Sequence, residues 1–158
     1  MTEEQYITAL KNNPHGIRNI PNPTEGMQLA CVEQNGMLLQ YIKNPTDRVI
    51  ETALAQSPRA IQYVDNPSDE LLISLVKQDW AVLEYIQNPS DEVVYIALEQ
   101  SGWAVRYIQN PSEDLQLMAV QKQYDALQYI ANPSEQVQMA AVKSNYLALR
   151  YIQNPTLE

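Results

Sequence analysis

The chain has 158 residues, 45% of them apolar and 18% charged, with a formal net charge of −9. That length and apolar content suit one ordinary domain with a core and exclude wholesale disorder, while no apolar run nears the roughly 20 residues of a membrane span. A single cysteine, Cys31, excludes an intramolecular disulfide or a cysteine metal cluster, and a single histidine, His15, leaves little for acid–base or zinc chemistry.

The chain opens on Met-Thr-Glu-Glu, acidic where a secretory signal begins basic and apolar, so a cytoplasmic location is expected. Residues 1–21 then form a degenerate unit of a repeat that is clear from Asn22 onward. Asn-Pro recurs at Asn22, Asn44, Asn66, Asn88, Asn110, Asn132 and Asn154, always 22 residues apart, with no insertion or deletion. The regular units are 22–43, 44–65, 66–87, 88–109, 110–131 and 132–153, and all of them together with 1–21 make a single repeat domain spanning 1–158. In the first unit Thr2, Glu3, Leu10, Ile17 and Ile20 keep the frame, whereas Gly16, Asn19 and Pro21 depart from it, as expected of a cap that faces water.

With Asn as position 1, each unit reads Asn-Pro-[Ser/Thr]-[Asp/Glu], which predicts a helix capped by Asn, with Pro first in the helix and a carboxylate in the opening turn. That helix runs to position 12 or 13. Position 14 supplies a second set of caps, Asn13, Asn35, Ser57, Asp79, Ser101 and Asn145, with Gln123 as the weak exception. A second helix of about seven residues follows, short enough to include a 3₁₀ turn, and the next Asn-Pro ends it. Neither helix is long enough to stand alone in water. Their apolar positions, 6, 10 and 11 on the first and 17, 18 and 21 on the second, must therefore be buried by stacking. The expected fold is all-α, a solenoid of seven 22-residue helical hairpins.

The string Asn-Pro-Ser-Glu-x-Val-x-x-x-Ala-Val followed by Ala-Leu-x-Tyr-Ile, as in residues 132–152, resembles a short α-helical repeat of bacterial and phage proteins of unknown function. More distantly it is similar to leucine-rich-repeat-variant and HEAT-like arrays. The resemblance implies a right-handed solenoid with one binding face. It implies no catalytic residue and no cofactor.

Four features bear on function. Eleven of the 19 acids fall at positions 4 and 5, first-turn sites that favour the helix dipole and that stacking would also align as an acidic edge. Position 20 forms a tyrosine ladder, Tyr41, Tyr63, Tyr85, Tyr107, Tyr129 and Tyr151, read as structural, each ring packing on its neighbour. Ile50, Leu72, Ile73, Trp80, Val94, Tyr95 and Trp103 gather apolar and aromatic side chains in the central units, either as an interface or as a bulkier core. The last regular unit carries no capping changes. Either the chain is a truncated piece or its last face is covered by another copy, and 154–158 is the start of a further unit or a vector remnant ending in Leu157-Glu158.

No Ser–His–Asp set, glycine-rich phosphate loop or metal-ligand cluster is present in the sequence, so no catalytic, cofactor-binding or metal residue is expected. The leading function is a non-enzymatic scaffold that binds a protein or peptide. The alternatives are an acidic, phage-type decoy for a nucleic-acid-binding protein and a structural or self-assembling repeat. Direct nucleic-acid binding is not expected, for want of a basic groove, and neither is a membrane partner.

Overall fold

A computed structural model describes residues 1–153, so the features expected at 154–158 lie outside the described residues. Among the described residues there are fourteen helices in a repeated pattern and no strand, and 72% of residues are helical. They fall in two compact units, one of Met1–Pro67 and one of the described residues from Ser68 onward. The first unit holds α1 (Glu3–Asn12), η1 (Pro14–Asn19), α2 (Glu25–Val32), η2 (Gly36–Tyr41), α3 (Asp47–Gln56) and η3 (Pro58–Tyr63), where η denotes a 3₁₀ helix. In the second unit are α4 (Asp69–Gln78), η4 (Trp80–Tyr85), α5 (Asp91–Gln100) and η5 (Gly102–Tyr107). It continues with α6 (Glu113–Lys122), η6 (Tyr124–Tyr129), α7 (Glu135–Ser144) and η7 (Tyr146–Tyr151).

The α-helices start two residues later than the Asn-Pro signal implies. Their N-caps are Thr2, Thr24, Thr46, Ser68, Ser90, Ser112 and Ser134, all extended, with each hydroxyl accepting from the backbone N–H three residues on. Asn is not the cap. Asn44, Asn66, Asn88, Asn110 and Asn132 sit at φ between 48° and 51°, the left-handed region. The following proline bars the right-handed helical region, and Asn is among the few residues that tolerate the left-handed one. Asn-Pro thus reverses the chain between a 3₁₀ helix and the next α-helix, and the carboxylates of positions 4 and 5 become the first two helical residues.

This correction has a measurable consequence. Asn132→Gly should keep the stability of the chain, because glycine adopts that φ without strain. Asn132→Ser, which would preserve a cap, should cost about 1 kcal/mol in urea unfolding. Ser134→Ala should cost about 1 kcal/mol as the loss of the true cap.

The second helices are 3₁₀ throughout, six residues each. Position 14 caps them as expected at Asn35, Asp79, Ser101 and Asn145, whose side chains accept from the N–H two residues on. Asn13 and Ser57, each followed by proline, make no such bond. Gln123 does something else: its Oε1 accepts from the Ser101 hydroxyl at 2.8 Å, tying its repeat to the preceding one.

Within each unit every α-helix packs on the 3₁₀ helix that follows it and on the α-helix of the next repeat. Positions 6, 10 and 11 are buried at Val49, Ala53 and Leu54, and again at Val93, Ala97 and Leu98. Positions 17 and 18 are buried at Leu38 and Leu39, at Val82 and Leu83, and at Ala126 and Leu127. Polar ties run between repeats as well. The Thr24 hydroxyl donates to Glu3 and that of Thr46 to Glu25, so these two carboxylates bind the next cap as well as favouring their own helix dipoles. At the other end of the helices, Gln56 Nε2 donates to the Gln34 carbonyl and Lys122 to that of Glu99.

Cys31 takes a position that is alanine in most repeats and is fully buried. Burial pushes its thiol from an ordinary 9.0 up to about 11. Above pH 9 the unfolded chain loses the proton that the folded chain retains, so folding stability falls as pH rises from 9 to 11. The expected loss is about 2–3 kcal/mol relative to Cys31→Ala, read as the difference between the two proteins' denaturation midpoints across that range.

Candidate peptide groove

The position-15 residue sets how closely neighbouring repeats approach. Gly102 lies so close to α6 that a Cβ there would stand 2.2 Å from the Ala119 carbonyl oxygen. One repeat earlier the same position is Trp80, whose ring meets that of Tyr107 with centroids 6.3 Å apart. η5 lies against α6, and α5 and α6 are in narrower contact than α4 and α5, or α6 and α7. A groove of about 1200 Å³ lies between the two Asn-Pro turns at Asn88 and Asn110, lined wholly from the second unit.

Its lining includes the apolar Ile86, Val94, Ile108 and Leu115. Tyr95, 51% exposed, rises from α5 on one wall, and the half-buried Tyr107 closes the other. Glu84, Asp91 and Asp114 give the lining its charge, with no lysine, arginine, histidine or cysteine among the lining residues. Asp91 and Asp114 stand in the first turns of α5 and α6. The side-chain amides of Gln87, Asn88, Gln109 and Asn110 are exposed along the rim.

The three glutamines at position 7 are explained by the same turns. Gln28, Gln116 and Gln138 each donate from Nε2 to a proline carbonyl, those of Pro23, Pro111 and Pro133, at 2.9–3.0 Å. At Val94 the repeat has no amide to offer the corresponding Pro89 carbonyl.

The seven apolar and aromatic candidates separate by place. Leu72 and Val94 are buried, and Ile73 and Trp80 are half-buried in the second unit, while Ile50 is half-buried in the first. Only Tyr95 and Trp103 among them are exposed, and Trp103, at 38%, donates its Nε1–H to Asp125 of the next repeat at 2.8 Å. The groove thus takes in Val94 and Tyr95 from that set and leaves the other five outside.

In the tyrosine ladder, Tyr41 and Tyr129 are exposed, and Tyr63, Tyr85, Tyr107 and Tyr151 are half-buried. Arg106 lies over the rings of both Tyr107 and Tyr129, at 5.1 and 4.8 Å, and Arg150 lies over Tyr151 at 5.6 Å. Sequence reasoning missed Gly102 and Glu84 and read Tyr107 only as part of a structural ladder, whereas Asp91 and Asp114 already stood among the first-turn acids of the expected acidic edge. The signal for Gly102 was a glycine between Trp80 and Tyr124 at position 15.

A second apolar surface lies on α7 and η7. Leu149 is 45% exposed, whereas its counterpart Leu127, covered by the following repeat, is 2% exposed; Met139, Tyr146 and Leu147 are also exposed. Among the described residues no helix is long and apolar enough to cross a membrane, and no group of three or more His, Cys, Asp or Glu residues is placed to hold a metal ion. Comparison of the chain with protein-family models, with curated proteins and with solved structures finds no match in any of the three.

Proposed function

We propose that the chain is a right-handed α-solenoid of seven 22-residue helical hairpins, acting as a non-enzymatic scaffold that binds a protein or peptide. Support for the solenoid comes from the unbroken 22-residue register and from the α–3₁₀ pairing that recurs within each unit. The binding reading rests on one observation: the groove between the Asn88 and Asn110 turns, whose lining sets the exposed Tyr95 beside the apolar Ile86, Val94, Ile108 and Leu115. Concave, largely preformed clefts with a few polar groups around an apolar base are the usual seats of ligands.

Selection of an unbiased peptide library on the intact protein, followed by amide chemical-shift mapping, tests the reading. Selected peptides should perturb Tyr95, Tyr107, Asn88 and Asn110 together. Failure to select any peptide, or shifts confined to other surfaces, would overturn it.

A further inference from the structure

We infer that the groove between α5 and α6 takes an extended peptide segment bearing arginine, an inference that rests on the peptide-binding reading above. The lining carries Glu84, Asp91 and Asp114 and no cation, so a guest must bring positive charge to avoid burying unpaired carboxylates. Carboxylates accept hydrogen bonds and donate none, so these three side chains favour a guest that brings donors. Guanidinium offers five N–H groups in a planar fork that pairs with a carboxylate and stacks on an aromatic face.

Stacking of this kind occurs within the chain itself. Arg106 lies over two successive ladder rings, Tyr107 and Tyr129, at 5.1 and 4.8 Å. One ring of the groove, Tyr107, is thereby engaged by Arg106 and by Trp80, which leaves Tyr95, 51% exposed, as the ring open to a guest. Acidic walls repel phosphate, so nucleic acid and anionic lipid are disfavoured as occupants.

Fluorescence anisotropy of labelled (Arg-Ala)₄, (Lys-Ala)₄ and (Glu-Ala)₄ peptides with the intact protein tests the inference. The arginine peptide should bind at least three-fold more tightly than the lysine peptide, and the glutamate peptide should not bind. Tyr95→Ala and Glu84→Gln should each weaken the arginine peptide at least five-fold. Neither change touches a helix cap or a buried side chain, and unaltered circular dichroism confirms the fold. Glu70→Gln removes the same charge on α4, outside the groove, and should change binding less than two-fold. Equal weakening by Glu70→Gln, or equal binding of the arginine and glutamate peptides, would overturn the inference. If library-selected peptides map to the groove but carry no arginine, the partner class fails while the scaffold reading survives; if nothing maps there, both fail.

Discussion

Gly102→Ala should be among the most destabilising single changes in the second unit, costing about 3 kcal/mol or more in urea unfolding followed by circular dichroism. The reason is close approach, not backbone conformation, since no glycine among the described residues has a positive φ. An added methyl would stand 2.2 Å from the Ala119 carbonyl oxygen and 3.1 Å from its carbon, both backbone atoms held in α6. Nothing flexible is there to give way. Gly36 faces the same problem against the Ala53 carbonyl in the first unit, at 2.1 Å. Gly16 is the internal control: a methyl there would meet only Leu10 Cδ2, at an ordinary 3.6 Å, and Gly16→Ala should change stability by less than about 0.5 kcal/mol.

Leu127→Ala should cost about 3 kcal/mol, whereas Leu149→Ala, the same substitution one repeat later, should cost less than about 1 kcal/mol. Both leucines occupy position 18 and belong to equivalent 3₁₀ helices. They differ in what covers them. Leu127 is 2% exposed under the repeat that follows it, and Leu149 is 45% exposed. A residue buried mainly by its own repeat would lose the same amount at both places, so the ratio of the two costs measures how much of the core is made between repeats.

Much of the local fold was legible because it depends on single-residue chemistry repeated at a fixed spacing. The 22-residue period, the caps at Asn35, Asp79, Ser101 and Asn145, and the burial of positions such as Val93, Ala97 and Leu98 all follow from residue type and register. The Asn-Pro start misled because two capping patterns overlap there: Asn followed by Pro resembles a cap with proline first, and so does the Ser or Thr two residues on with its acid. What decides between them is the left-handed φ of the Asn, which no pattern of polarity reports. Asn13 and Ser57 make no cap bond although the same pattern had implied one.

The groove was harder to see, since it arises from a difference between repeats. Val94 and Leu72 read as members of an apolar patch, yet their helical phase turns them into the core, and only Tyr95, one residue further, comes to the surface. Trp103 and Trp80 look alike in composition but serve different neighbours, one donating to Asp125 and the other meeting Tyr107. Gly102 between two bulky neighbours at position 15, Trp80 and Tyr124, held the information; its effect depends on how two rigid repeats tilt, which a single repeat cannot express.

The central claim is that each α–3₁₀ pair holds its shape only against the neighbouring pairs. Far-UV circular dichroism of a synthetic peptide covering residues 88–109, one repeat by itself, tests it most directly. A spectrum close to random coil in water is expected, since helices of ten and six residues are too short to persist alone. Helix content in the isolated peptide matching that of the same residues in the intact chain would contradict it.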